Sequence, residues 1–251
     1  MKKLVFLINL CLFVCIANAQ FLPWQLPVKE GTCDYPIKPG MEEWKKLHGY
    51  AGKVKACQIP EEILYSLSTE DLTDICLRYP ALGHIYAFNK TSDGLDKLFR
   101  DFNGIRELYK RKDAAIYLTQ RYTELFKSSS CLYDTIPNVR QGFFVIQISV
   151  LEGLLSRIEP QNNNNESLKG VLQALVAGYE EKLKHIDHFK GFGLQTNFFS
   201  RANIIVKIDP SLIEQFPYKE KSAAFFSGMV GDEETINIIS EFSYQLINIE
   251  P

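Results

Sequence analysis

Residues 57–80 constrain the fold more tightly than any other stretch of this 251-residue chain. They read Cys-Gln-Ile-Pro-Glu-Glu-Ile-Leu-Tyr-Ser-Leu-Ser-Thr-Glu-Asp-Leu-Thr-Asp-Ile-Cys-Leu-Arg-Tyr-Pro, and the punctuation predicts two helices with a turn between them. Pro60 stands where a first helical turn accepts a residue without an N–H, and Glu61 and Glu62 follow at the positive pole of the helix dipole. Ser68 then supplies a hydroxyl cap with Asp71 three residues on, a shortened capping box, and Pro80 stops the second helix. Ile59, Ile63, Leu64, Leu67, Leu72, Ile75 and Leu77 recur at helical spacing, so this hairpin is expected to anchor the N-terminal half, with Thr73 facing solvent.

The helical period continues along the chain. Met41, Trp44 and Leu47 predict a first helix that the Gly49-Tyr50-Ala51-Gly52 loop stops, and residues 93–102 predict another, with Asn103 capping the one after it. Residues 113–126 carry a helix of about four turns up to the Ser128-Ser129-Ser130 break. Residues 143–158 have strand-forming composition at their start, yet Val145, Ile148, Leu151, Leu155 and Ile158 keep i, i+3, i+4 spacing over a length that suits a helix. Gly153 within it hints at a close helix crossing. Residues 166–189 give one long helix with Leu168, Val171, Leu172, Leu175, Val176, Tyr179, Leu183 and Ile186 as its apolar stripe and Glu180, Glu181, Lys182 and Lys184 off it. Residues 198–208, 210–213 and 233–247 complete the series. Few runs alternate with period two, so the fold class is all-α: a multi-helical array of packed helical hairpins, solenoid-like or a bundle in two halves. Residues 41–160 form the N-terminal half and 161–251 the C-terminal half of what reads as one continuous domain, with the polar loop around Asn162 and Asn165 as the joint.

Residues 1–19 pair a basic start (Lys2, Lys3) with an apolar run and an Ala17-Asn18-Ala19 cleavage site, the pattern of a secretory signal peptide. The run falls short of the ~20 apolar residues that span a bilayer, so the mature chain is expected to be secreted or periplasmic, beginning at Gln20. Lipidation at Cys15 would need a small residue where Val14 stands. Residues 20–40, rich in Pro and Gly, read as an extended arm. Lys2 and Lys3 leave with the leader, so 26 basic residues face 30 acidic ones, a formal charge of -4. Such a surface has no basic stripe for nucleic acid. Cys33, Cys57, Cys76 and Cys131 remain after cleavage and allow three pairings. If the hairpin turns near Leu67 and Ser68, Cys57 and Cys76 come level across it, which makes them the expected disulfide. The alternative is buried free thiols acting as small hydrophobes.

Catalytic signatures are absent: no Gly-x-Ser-x-Gly elbow, His-Glu-x-x-His helix, phosphate-binding loop, dinucleotide fingerprint or Cys-x-x-Cys pair. No motif asks for a cofactor. Glu181, His185 and His188, spaced four and three on one helix, could ligate a divalent metal, but a solvated helix end with histidines near its negative pole accounts for them better. His48 and His84 are lone histidines beside apolar residues and read as boundary residues. The acidic pairs Glu42/Glu43, Glu61/Glu62 and Glu233/Glu234 sit at expected helix starts, where the dipole explains them. Phe192, Phe198 and Phe199, beside Gly191 and Gly193, could form a ligand-contacting loop, against the plainer use of those rings in a core.

At Pro39-Gly40-x-x-Glu43-Trp44, Ala56-Cys57-Gln58-Ile59-Pro60, Leu67-Ser68-Thr69-Glu70, Cys76-Leu77-x-Tyr79-Pro80 and Phe102-Asn103-Gly104-x-x-Glu107-Leu108-x-x-Arg111-Lys112-Asp113-Ala114, the chain resembles an uncharacterised family of secreted proteins from Bacteroidetes-type bacteria. The resemblance covers roughly residues 36–125 and implies export and a helical build. It transfers no activity, cofactor or catalytic residue. The expected function is that of an exported, non-catalytic helical protein binding another protein or a surface polymer. The alternative is a hydrolase without a recognisable motif, using carboxylates that the fold brings together. A deep pocket with convergent ionisable groups would favour the enzyme, and an aromatic groove would favour binding.

Overall fold

A computed structural model describes residues 34–129, 138–159, 165–189, 192–215 and 233–248. The leader, most of the arm, Cys33, Cys131 and the 160–164 joint lie outside the described residues. Those described form helices and connecting turns, with no strand among them. In chain order the helices are α1 (Glu42–Lys46), α2 (Gly49–Ala56), α3 (Glu61–Ser66), α4 (Thr69–Leu77), a 3-10 turn (Leu82–Ala87), α5 (Thr91–Asp101), α6 (Asn103–Leu108), α7 (Ala114–Ser129), α8 (Asn138–Leu155), α9 (Glu166–Lys184), α10 (Ile186–Phe189), α11 (Phe192–Ile208), a second 3-10 turn (Pro210–Gln215) and α12 (Glu233–Ile247).

The long helices organise the rest. α7 packs on α8, α8 on α11, α11 on α9 and α9 back on α7, which closes a four-helix bundle. Consecutive α8 and α9 therefore sit across its diagonal and not side by side as a hairpin. Because α7 meets α9 and α8 meets α11, the packing runs straight through the boundary expected at residue 160, and the nearest-neighbour stacking of a solenoid does not describe it. α12 covers α9 and α11, while α4, α5 and the first 3-10 turn lie against α7 and α8.

The 57–80 hairpin forms with its caps in place. The Ser68 hydroxyl oxygen accepts from the Asp71 N–H at 3.0 Å, and the same hydroxyl donates to the Asp71 carboxylate at 2.7 Å. Leu64, Leu72, Ile75 and Leu77 are buried, and Ile63 and Leu67 pack against them. Thr73 departs from expectation: it is fully buried, with its hydroxyl donating to the Thr69 carbonyl at 2.8 Å. The expected Cys57–Cys76 disulfide is absent, and both are buried free thiols. Cys57 belongs to the C-terminal cap of α2, before Pro60, so it is not on the helix that pairs with α4 and the levelling argument does not apply. Burial pushes the Cys57 thiol up to about 11 and holds Cys76 higher still.

Other local expectations shift for identifiable reasons. Gly49, at φ +60°, opens α2, so the supposed loop 49–52 is helical and α1 stops earlier, at Lys46. Asn103 does not cap α6; its amide accepts from the Ile59 N–H at 3.0 Å and donates to the Ile59 carbonyl at 2.7 Å, while Gln58 accepts from the Asn103 N–H at 3.1 Å. This reciprocal latch fixes the α2–α3 link to the α5–α6 corner. Gly153 faces Leu95 at ordinary contact distance, and the close approaches lie elsewhere. A Cβ at Gly94 would fall 2.0 Å from the Ile85 carbonyl oxygen, and one at Gly178 would fall 2.1 Å from the Tyr122 hydroxyl.

Candidate functional site

Two features stand out, one sealed and one open. The sealed feature is the centre of the bundle. Glu152 of α8 is fully buried, as is Lys182 of α9, and the ammonium lies 2.6 Å from one carboxylate oxygen and 2.7 Å from the other. Tyr122 of α7 donates to Glu152 at 2.7 Å, and Thr196 and Asn197 of α11 donate at 2.6 and 3.0 Å. Lys182 also donates to the Gly193 carbonyl and sits 5.4 Å from the centre of the Phe189 ring. The other three bundle helices thus each supply a polar group to the one carboxylate carried by α8. Gly178 is what admits Tyr122, since any side chain there would occupy the place of its hydroxyl.

Burial lowers the Lys182 pKa, with the Glu152 charge opposing that shift, and burial followed by the Glu152 charge raises that of Tyr122. The sequence pattern misses this centre because it assigns Lys182 to the polar face. In the structure the buried face of α9 runs Leu168, Val171, Leu172, Leu175, Gly178, Lys182, and it is Leu183 and Ile186 that turn outward, 45% and 40% exposed. A Lys four residues beyond Gly178 keeps the buried period, and the signal that could have found it is the charged pair Glu152 and Lys182 at core positions of two helices. With both members fully buried and every carboxylate oxygen occupied, the cluster holds helices together and presents no reactive atom to a substrate.

Arg201 is a second buried charge. Its guanidinium lies over Tyr179 and Phe198, 5.3 and 5.5 Å from the ring centres, and donates through Nε to Ser243 of α12 at 2.9 Å. Burial brings its pKa down to about 10, and its terminal nitrogens have no hydrogen-bond partner among the described residues. It too is sealed, at 0% exposure.

The open feature is a cleft of about 370 Å³ where α1, α2 and the first 3-10 turn meet α4, α7 and α8. Trp44, Leu77, Pro80, Leu82, Leu125, Ile146, Val150 and Leu151 make an apolar interior, while Lys53, His84, Tyr86 and Gln147 supply its polar atoms. None of the described lining residues is Asp or Glu. The Lys53 ammonium lies 5.3 Å from the centre of the Trp44 ring, and the His84 ring is 5.2 Å from that of Tyr50. Burial and then the Lys53 charge lower the His84 pKa. His84 lines the cleft with part of its side chain open to solvent, whereas its sequence context says only that it is a boundary residue.

A second depression, of about 380 Å³, gathers ionisable groups: Asp96, Lys112, Arg157 and Glu159 beside Tyr109 and Ser167. Its carboxylates are solvated and paired. Asp96 is 61% exposed and 2.7 Å from Arg157, and Glu159 is 70% exposed and 2.8 Å from Lys207. Neither has the burial that tunes a catalytic acid.

The site residues drawn from the sequence fare differently. α9 ends at Lys184 and His185 caps it, so Glu181, His185 and His188 do not share one helix; Glu181 pairs with Lys184 at 2.8 Å and lies 3.8 Å from His185. No cluster of three metal-ligating residues occurs among the described residues. Phe198 and Phe199 lie inside α11, almost fully buried, so the expected ligand loop is helix and these rings are core; the side chain of Phe192, the first residue of α11, lies outside the described residues. The acidic pairs Glu42/Glu43, Glu61/Glu62 and Glu233/Glu234 occupy the first turns of α1, α3 and α12, as their dipole reading requires. No described helix is long and apolar enough to cross a membrane. Compared with known proteins, the chain matches no protein-family model, no curated protein and no solved structure.

Proposed function

We propose that this chain is an exported, non-catalytic binding protein that holds an apolar group in the cleft between Trp44, Leu82 and Ile146. One observation carries the reading: an open cleft of about 370 Å³ with an apolar interior and a few polar groups at its edge, the composition of a ligand site. The signal-like residues 1–19 support export. Against the rival hydrolase, the described carboxylates near cavities are either sealed in the bundle or solvated and ion-paired, so none is poised to transfer a proton.

The test is direct. N-phenyl-1-naphthylamine, an uncharged apolar dye, should bind the mature protein with one-to-one stoichiometry and a rise in emission. Gly83 lines the cleft and a Cβ there meets nothing within 4 Å, so Gly83→Trp should fill the cleft without straining the fold and abolish dye binding. Equal binding by wild type and Gly83→Trp would overturn the assignment.

A further inference from the structure

We propose that the ligand of this cleft is a medium-chain aliphatic monocarboxylate, its chain lying along Trp44, Leu82, Ile146 and Leu151 and its carboxylate held at the mouth by Lys53 and His84. The inference rests on the binding reading above and names the ligand class for that site.

Charge complementarity is the first ground. Lys53 makes no ion pair among the described residues, whereas Lys97, which lies over the Tyr50 ring, is neutralised by Asp101. The Lys53 ammonium is instead held over the Trp44 ring at the cleft wall. With no carboxylate in the described lining, the cleft edge carries a lysine ammonium that no described residue pairs with. His84 stands beside it with a ring N–H to donate, steadied by the Tyr50 ring. A cation and a neutral donor converging on one edge of an apolar cleft are complementary to a carboxylate.

The interior sets the rest of the molecule. A peptide would bring backbone N–H and C=O groups every few ångströms into a lining whose described polar atoms belong to Lys53, His84, Tyr86 and Gln147, and each unpaired group would oppose binding. An alkyl chain carries none. At the ~30 Å³ that a water-sized group occupies in a liquid, the cleft holds about a dozen heavy atoms, which matches a chain of about eight to ten carbons with its carboxylate.

The experiment compares octanoate with 1-octanol, which share a chain and differ in charge, on mature protein carrying Trp24→Phe so that Trp44 is the sole fluorescent indole. Calorimetry supplies the second readout. Octanoate should bind about tenfold more tightly than 1-octanol, the effect of one solvated charge pair at a few ångströms. Lys53→Met, which keeps the stem and removes the charge, should weaken octanoate about tenfold and leave 1-octanol unchanged, while Lys53→Arg restores the preference. Gly83→Trp, which adds an indole and is therefore followed by calorimetry alone, should abolish both. Equal affinities for acid and alcohol in the wild type, both lost in Gly83→Trp, would overturn the carboxylate assignment and leave the cleft as a binding site. Binding of the dye but of neither octyl compound would overturn the aliphatic chain, and tighter binding of a short peptide ending in leucine would replace the fatty acid with a peptide terminus. Failure of the dye, both octyl compounds and the peptide to bind would remove the binding function itself.

Discussion

Lys182→Met asks whether the bundle is centred on a charge pair. Methionine keeps the stem of the side chain, so the substitution deletes the ammonium without opening a cavity of any size. What it strands is Glu152, fully buried, which loses contacts of 2.6 and 2.7 Å. Removing one partner of a buried pair costs about 3–5 kcal/mol, because the survivor keeps its desolvation penalty. Glu152 retains Tyr122, Thr196 and Asn197 as donors, which places the expected loss near the lower end, at about 3 kcal/mol. Against a typical total of ~5–15 kcal/mol that is a large fraction. The double variant Glu152→Gln/Lys182→Met removes both charges yet leaves an amide oxygen for Tyr122 and Asn197, so it should lie within about 1.5 kcal/mol of wild type and be less harmful than Lys182→Met alone. Urea midpoints followed by circular dichroism measure both. A loss below about 1 kcal/mol for Lys182→Met, or a double variant worse than the single, would refute the reasoning.

Four further outcomes are expected. Gly94→Ala should be strongly destabilising, because its Cβ would strike the backbone of Ile85, whereas Gly170→Ala, with nothing within 4 Å, should gain up to about 1 kcal/mol from helix propensity; thermal melts of the pair decide it. Cys57 titrates at about 11 in the folded chain against an ordinary 9.0, so between those values the native state holds more protons than the unfolded one. Its contribution is then complete below pH 9 and lost as pH rises toward 11, and Cys57→Ala should flatten that part of a denaturation-midpoint profile. Leu72→Ala should cost about 2–5 kcal/mol in urea, while Tyr65→Ala, at a side chain 62% exposed, should change stability by under about 0.5 kcal/mol; equal effects would mean that the hairpin does not anchor its half. Intact mass of exported protein should begin at Gln20, and a lipidated product starting at Cys15 would contradict the cleavage reading.

The sequence by itself determined the class and the punctuation. Period-3.6 spacing, the Ser68 cap, the acidic pairs at helix starts and the proline stops all act within a turn or two of chain, and α3, α4 and α12 appear close to where these local signals put them, while α8 starts five residues earlier than expected, at Asn138. What only the tertiary structure decided is which helix meets which, and with it every feature that bears on function. The cleft draws Trp44, Lys53, His84 and Ile146 from four separate segments, and no spacing along the chain encodes their meeting. Lys182 shows the reason most plainly. On an isolated helix a lysine belongs to the wet face, because burying its charge alone is prohibitive; across the bundle diagonal Glu152 offers the one partner that makes burial tolerable, and the helix turns Leu183 outward to meet it. A local pattern weighs each side chain against water, whereas the folded chain weighs it against the neighbour it finds.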